Sequence, residues 1–294
     1  MQLRNILLWV FCSQLLGGCG WLVDKFASRP DITFAPYGAE YARKADFAEL
    51  EYRYPLTPAD LEKITPRYLA GLEQEQIDQI YARLSAGPIP DGAFEGDLFF
   101  ARGASGKARL SEIAGGGLKG FAVNLKVRKL DLLGETLWKG KVFYRDQRVL
   151  RNRIEDLAVL APVIDGPLAD IPKITVGGRD AWLLFPAKLY CGQSLLDSRR
   201  ESIIIDYAFT DEIEGYREQP DFLAGRRGFK VRDEIRMVRP GFYLGRAYLD
   251  RAFALNFTLY NEEIAKRDGS SFGKTGISAE DCWTGTQQRV VTAG

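Results

Sequence analysis

FKVRDEIRMVRPGFYLGRAYLDRAFALNFTLY, residues 229–260, is the stretch that decides the fold. Its three runs, 229–239, 242–249 and 253–260, show the period-two or continuous apolar character of β-strands. Arg239-Pro240-Gly241-Phe242 is a strong turn between the first two, since proline presets the first corner and glycine accepts the positive φ of the second. A hairpin symmetric about that turn sets Ile235 opposite Arg246 and Asp233 opposite Tyr248. One face then carries Phe229, Val231, Asp233, Ile235 and Met237 against Phe242, Leu244, Arg246 and Tyr248. It is an apolar face interrupted by one acid, one base and one phenol.

Working outward, the same character recurs at 93–101, 138–145, 149–154, 174–185 (with Gly177-Gly178 at its turn) and 202–209. Many strands of similar length joined by turns predict an antiparallel barrel or sandwich. Between the first two runs, Gly115-Gly116-Gly117 opens an amphipathic helix containing Leu118, Phe121, Leu125 and Leu132. No P-loop lysine follows those glycines at the right spacing, so they do not read as a phosphate cradle. Upstream, Thr57-Pro58-Ala59-Asp60 and Thr65-Pro66 are helix starts, and the stripe Ile77, Ile80, Tyr81 and Leu84 is stopped by Gly87-Pro88. The fold class is therefore α+β, a mainly antiparallel β-domain preceded by a short helical segment. The stretch Trp138-Lys139-Gly140-Lys141-Val142-Phe143 resembles the Trp-x-Gly-Lys stretch of lipocalin-like GXWXG-type proteins, with Thr136 where that pattern has its first glycine. The resemblance implies a lipocalin-like barrel and adds Trp138 to the candidate ligand-binding residues.

At the N-terminus, Arg4 precedes the apolar run Ile6-Leu7-Leu8-Trp9-Val10-Phe11, which continues through Leu15 and Leu16. That run falls short of the ~20 residues a spanning helix needs, and small residues follow it, as in an export signal. Leu16-Gly17-Gly18-Cys19 resembles the lipobox of bacterial lipoproteins, which implies a lipid on Cys19 and cleavage before it. Gly20, rather than aspartate, follows the cysteine, which implies the outer membrane, facing the periplasm. The divisions expected are 1–18 signal peptide, 19–55 lipidated tether, 56–92 helical segment and 93–294 β-rich domain with one inserted helix.

The chain has 40 basic and 39 acidic residues, and removing residues 1–18 removes only Arg4, leaving a neutral body. Such a body is a poor ligand for phosphate backbones, so nucleic acid is not an expected partner. Cys191 and Cys282 remain after export, and in an oxidising compartment they read as a disulfide. Closing a loop of about 90 residues contributes roughly 4 kcal/mol in the chain-entropy model. Two buried free thiols are the alternative. Histidine is absent, which excludes Ser-His-Asp and Cys-His catalysis and histidine-ligated zinc. No metal or cofactor is expected, and a carboxylate-dependent hydrolase stands only as a third reading, with no carboxylate pair in the sequence to support it.

A lone buried carboxylate costs several kcal/mol, so Asp233 needs a partner, and Arg246 lies diagonal to it in the symmetric register. Two readings follow for that face. Asp233, Arg246 and Tyr248 orient the polar end of a hydrophobic small molecule or lipid in a cavity, or they form an ion pair at the rim of an ordinary core. At the level of the whole protein, the alternative to ligand binding is an assembly lipoprotein whose helical segment contacts another envelope protein.

Only a thiol accepts the diacylglyceryl group, so Cys19→Ser is expected to abolish lipid modification. Mass spectrometry of the membrane fraction checks this, and a processed, acylated variant would remove the lipoprotein reading.

Overall fold

Alternating apolar runs and tight turns close into a barrel in the computed structural model, which describes residues 32–103, 138–157, 160, 164 and 166–285. The strands are β1 Gly92–Phe99, β2 Trp138–Tyr144, β3 Val149–Ile154, β4 Lys173–Val176, β5 Arg179–Gln193, β6 Glu201–Asp206, β7 Val231–Arg239, β8 Phe242–Leu249 and β9 Ala252–Tyr260. All pair antiparallel in the order β3-β2-β1-β9-β8-β7-β6-β5-β4. A further antiparallel pairing of β3 with β5 closes eight of them into a barrel and leaves β4 as a short hairpin arm on β5. The chain divides into two units, Met1–Thr33 and Phe34–Gly294, and the barrel with its helices lies in the second. Cys19, the export segment and the helix expected after Gly117 lie outside the described residues.

The hairpin register differs from the symmetric one. Arg239 pairs with Phe242 as the Pro240-Gly241 turn requires, and Gly241 has φ 76°. The ladder then slips at Val238, so that Met237 pairs with Tyr243, Asp233 with Ala247 and Glu234 with Arg246. The cause is a third segment: the Met237 N–H donates to the Ser85 carbonyl at 2.9 Å. A slip of one residue moves every side chain beyond it to the other face. From Asp233 to Met237 on β7, Tyr243 to Ala247 on β8 and Leu255 to Leu259 on β9, odd-numbered residues therefore face the barrel interior and even-numbered ones face outward, while Arg239 and Phe253, beyond the register shifts, lie outside with Phe242 and Tyr248.

Before the barrel come α1 Phe47–Arg53, α2 Pro58–Lys63, α3 Pro66–Ala70 and α4 Gln74–Arg83. Asp46, Thr57 and Thr65 cap the first three through their side chains, and prolines open α2 and α3 as expected. The α1 helix falls within the stretch read as tether, whose Ala35 is docked on α4 through two hydrogen bonds with the Gln79 amide, 2.9 and 3.0 Å. α4 ends at Arg83, before the Gly87-Pro88 stop, because Ser85 is drawn into contact with β7. Its Ile77, Ile80 and Tyr81 are buried on the outer face of the barrel wall, where the Tyr81 hydroxyl donates to Ser202 on β6 at 3.1 Å.

Among the described residues two further α-helices follow, α5 Glu218–Asp221 and α6 Glu262–Thr275. α6 was not foreseen. Asn261 caps it and Gly276, with φ 66°, stops it, but its middle, Asp268-Gly269-Ser270-Ser271, is poor in helix formers.

β5 bends where its pairing with β3 breaks register between Leu150 and Asn152. Phe185, just before Pro186, sits at φ 51°, and its N–H donates to the Asp221 carboxylate at 2.7 Å. The other Asp221 oxygen accepts from the Arg217 N–H at 2.9 Å. Burial pushes the Asp221 pKa up to about 6, against the pull of those two donors. A raised carboxyl pKa means that Asp221 favours the fold most below about pH 4, and that this contribution is lost as the pH rises through about 6. Relative to Asp221→Asn, which does not titrate, the wild-type protein should therefore gain roughly 2 kcal/mol between pH 7 and pH 4. Urea unfolding of both proteins across that range checks it, and a pH-independent difference would contradict the assignment.

Candidate functional site

At the centre of the barrel, Asp233 is 4% exposed and pairs with Lys141, 2.9 Å from Nζ to Oδ2. Lys141 stands on β2 and Asp233 on β7, four strands apart in either direction round the closed order, so the pair spans the barrel's diameter. The ammonium donates to three acceptors: Asp233, the Tyr207 hydroxyl at 2.7 Å and Asn152 Oδ1 at 2.9 Å. Trp138 Nε1 donates to the same Asn152 oxygen at 2.8 Å. Asn152 Nδ2 donates to the Phe185 carbonyl and to the Tyr207 hydroxyl, at 3.0 and 2.9 Å. Rings of Trp138, Tyr207 and Phe257 lie 5.4–5.5 Å from the ammonium, within cation–π range.

Local sequence makes room for this arrangement. A Cβ on Gly245 would fall 2.2 Å from the Phe257 ring, and one on Gly96 would fall 2.3 Å from the Trp138 ring. Burial works against the charge on Lys141, but Asp233 and Tyr207 more than offset it, and the pKa lies above the ordinary lysine value. The lysine is thus a held cation and not a neutral amine nucleophile. Burial also raises the Tyr207 pKa to about 12, so its hydroxyl keeps its proton.

The register slip separates the residues grouped from the sequence. Asp233 and Trp138 meet inside the barrel through Lys141 and Asn152, while Arg246 and Tyr248 lie outside, under α4. There Arg246 Nε donates to the Tyr248 hydroxyl at 2.9 Å, and its Nη1 pairs with Asp78 of α4. Burial works against the Arg246 charge, but Asp78 and Tyr248 outweigh it, holding the pKa above its usual value. Arg246 is therefore a bolt between helix and sheet, and it is not the partner of Asp233. Lys141, Asn152 and Tyr207 were missed by sequence reading. The readable sign was Lys141 itself, which shares strand parity with Phe143, and Tyr207, which shares it with Ile203 and Ile205.

Interior side chains fill the barrel on both sides of this centre, including Phe94, Phe143, Leu189, Ile205, Ile235, Tyr243 and Leu259, all buried. Open space lies at one mouth, as a crevice of about 1170 Å³. Its apolar lining includes Ile89, Ile174, Met237, Tyr243, Ile264 and Ile277. Acidic groups, Asp91, Glu95, Glu262, Glu263 and Asp268, ring it along with Arg145 and Arg267. Both of those arginines are engaged, Arg145 with Asp281 at 2.6 Å and Arg267 with Asp268 at 2.9 Å.

No family model and no curated protein matches the chain. A solved structure, a protein from Thermomonospora curvata, is similar at 16% identity with a TM-score of 0.37, covering 69% of this chain and 97% of that one.

The remaining expectations divide in the same way. Cys191 and Cys282 are joined in a disulfide, the first of the two readings of these cysteines. Among the described residues, no helix is long and apolar enough to cross a membrane.

Removing one partner of a buried pair leaves the other charge stranded. Asp233→Asn is expected to cost about 3–5 kcal/mol of stability, and adding Lys141→Met to it should recover part of the loss. Urea unfolding of the two variants measures both, and a loss under about 1 kcal/mol for Asp233→Asn would show that the core does not depend on the pair.

Proposed function

We propose that this chain is a lipid-anchored envelope protein of lipocalin-like build that binds a hydrophobic or amphiphilic small molecule at the mouth of its barrel. The observation that carries the reading is the crevice of about 1170 Å³, with an apolar floor formed by Ile89, Met237 and Tyr243 and a polar rim. Ligand sites pair apolar walls with polar groups that orient the guest, and a lining in which polar groups are as prominent as apolar ones suits an amphiphile. The eight-strand antiparallel barrel, with Trp138-x-Gly140 opening β2 against its interior, supports the lipocalin-like part of the proposal.

The interior is the usual place to look for a guest in such a barrel, and here Lys141 and its partners occupy it. The mouth is the remaining place. The apolar stripe of α4 is packed on the barrel wall, which weakens the alternative in which that stripe docks another envelope protein. In the proposed arrangement Cys19 supplies the tether, at the outer membrane and facing the periplasm, and the chain from 19 onward sets the reach of the barrel from the lipid surface.

Ile277 lines the crevice and is 77% exposed, so Ile277→Asp should leave folding stability within about 0.5 kcal/mol of wild type. The same variant should weaken binding of the neutral fluorophore N-phenylnaphthylamine at least ~10-fold, about 1.4 kcal/mol. A fluorescence titration with thermal melts measures both. Failure of the wild-type protein to bind the probe, together with an organic extract free of any copurified lipid or small molecule, would overturn the proposal.

A further inference from the structure

After α6, the segment Ile277–Trp283 returns across the barrel mouth as a strap. Its Ile277, Ser278 and Ala279 form one wall of the crevice, and Ser278 Oγ rests 3.7 Å from Met237 Sδ on the crevice floor. The strap is held at three successive points. Glu280 accepts from Ser85 Oγ and from the Gly87 N–H, the latter at 2.7 Å. Asp281 accepts from the Ile89 N–H at 2.8 Å and from Arg145 at 2.6 Å. Trp283 exchanges a pair of bonds with Glu201, giving its N–H to the carboxylate at 2.8 Å and accepting the Glu201 N–H at 3.0 Å. Between the last two points lies the covalent link, Cys282 to Cys191 on β5.

The acceptor carboxylates lie at the solvent-facing rim, where water competes with their bonds to Ser85, Arg145 and Trp283 and lowers the net worth of each, although the Gly87 and Ile89 donors are themselves buried. The disulfide faces no such competition. Glu201 adds a second feature, since its carboxylate oxygen lies within 4.8 Å of both sulfurs. A thiolate formed there meets a like charge, which disfavours keeping Cys282 in place once the bond is cut.

We propose that the Cys191–Cys282 disulfide is a redox latch on this strap: oxidised, it holds the wall of the crevice in place; reduced, it lets the strap leave. The reductant is a dithiol. One of its thiolates attacks the Sγ of Cys191, the less buried of the two residues, forming a mixed disulfide and expelling Cys282 as a thiolate that takes up a proton. The second thiol of the reductant then displaces Cys191, leaving two protein thiols and an oxidised, cyclic reductant. The consequence for ligand binding rests on the function proposed above, because only an occupied crevice has a guest to lose.

Hydrogen–deuterium exchange of the full chain, with and without dithiothreitol, tests the latch directly. Amides of 277–285 should exchange at least tenfold faster after reduction, while those of β7, β8 and β9 stay protected. A Cys191→Ser, Cys282→Ser double variant should match the reduced protein, and reduction of already folded wild type covers the case in which that variant does not fold. Unchanged exchange in 277–285 after complete reduction, verified by alkylation, would overturn the latch whether or not the crevice binds anything. Titrating N-phenylnaphthylamine into the same samples separates the two ideas. Binding that falls at least tenfold on reduction supports both, and faster strap exchange with no binding in the oxidised form removes the ligand reading while leaving the latch in place.

Discussion

A charge placed at the centre of a barrel has to be answered from all sides at once, and the buried ammonium of Lys141 sets that condition here. Taking an ion of this size out of water costs several kcal/mol even after relaxation, so its three protons need three acceptors. No single strand can supply them. Asn152 comes from β3, Asp233 from β7 on the opposite wall, and Tyr207 from the residue after β6. The ammonium therefore ties together walls that backbone hydrogen bonds connect only by going halfway round the sheet. Its demands reach further, since the rings of Trp138 and Phe257 that pack around it fit only because Gly96 and Gly245 carry no side chain.

Much of the β-domain was legible because strand periodicity and turn chemistry are local. The run 149–154 and the run 242–249 coincide with β3 and β8, and the Gly177-Gly178 turn separates β4 from β5. Register was not legible, since it depends on a contact between distant segments. The Pro240-Gly241 turn does pair Arg239 with Phe242, but the Ser85 carbonyl, more than 150 residues away in sequence, captures the Met237 N–H and moves the ladder by one. Period two makes this error total: Asp233 was rightly expected to be buried, and its partner was sought on the wrong face.

The same reasoning explains which parts of the candidate site could be read. Composition forbade histidine chemistry and pointed to the disulfide, both of which are global statements that need no geometry. Finding Lys141 would have required taking its parity with Phe143 seriously, against the strong prior that lysine faces water. Arg246 shows the converse. Its burial was anticipated, but Asp78, the carboxylate that pairs with it, comes from a helix, and no strand-to-strand rule could have supplied it.

Filling the barrel has a price that determines where function can reside. A cavity in the middle would leave Lys141, Asp233, Tyr207 and Asn152 facing either empty space or water, and in either case the hydrogen bonds that make a buried ion tolerable would weaken. A barrel stabilised in this way cannot also be a deep calyx. What remains open is the mouth, where the ends of β1, β7 and β8 and the β4 arm meet returning segments: 88–91 after α4, one side of α6 and the strap 277–279. Loops of this kind shift at lower cost than a sheet because fewer backbone bonds must break. The filled polar centre and the open crevice at the mouth are thus two consequences of one choice, the placement of a charged pair across the middle of the barrel.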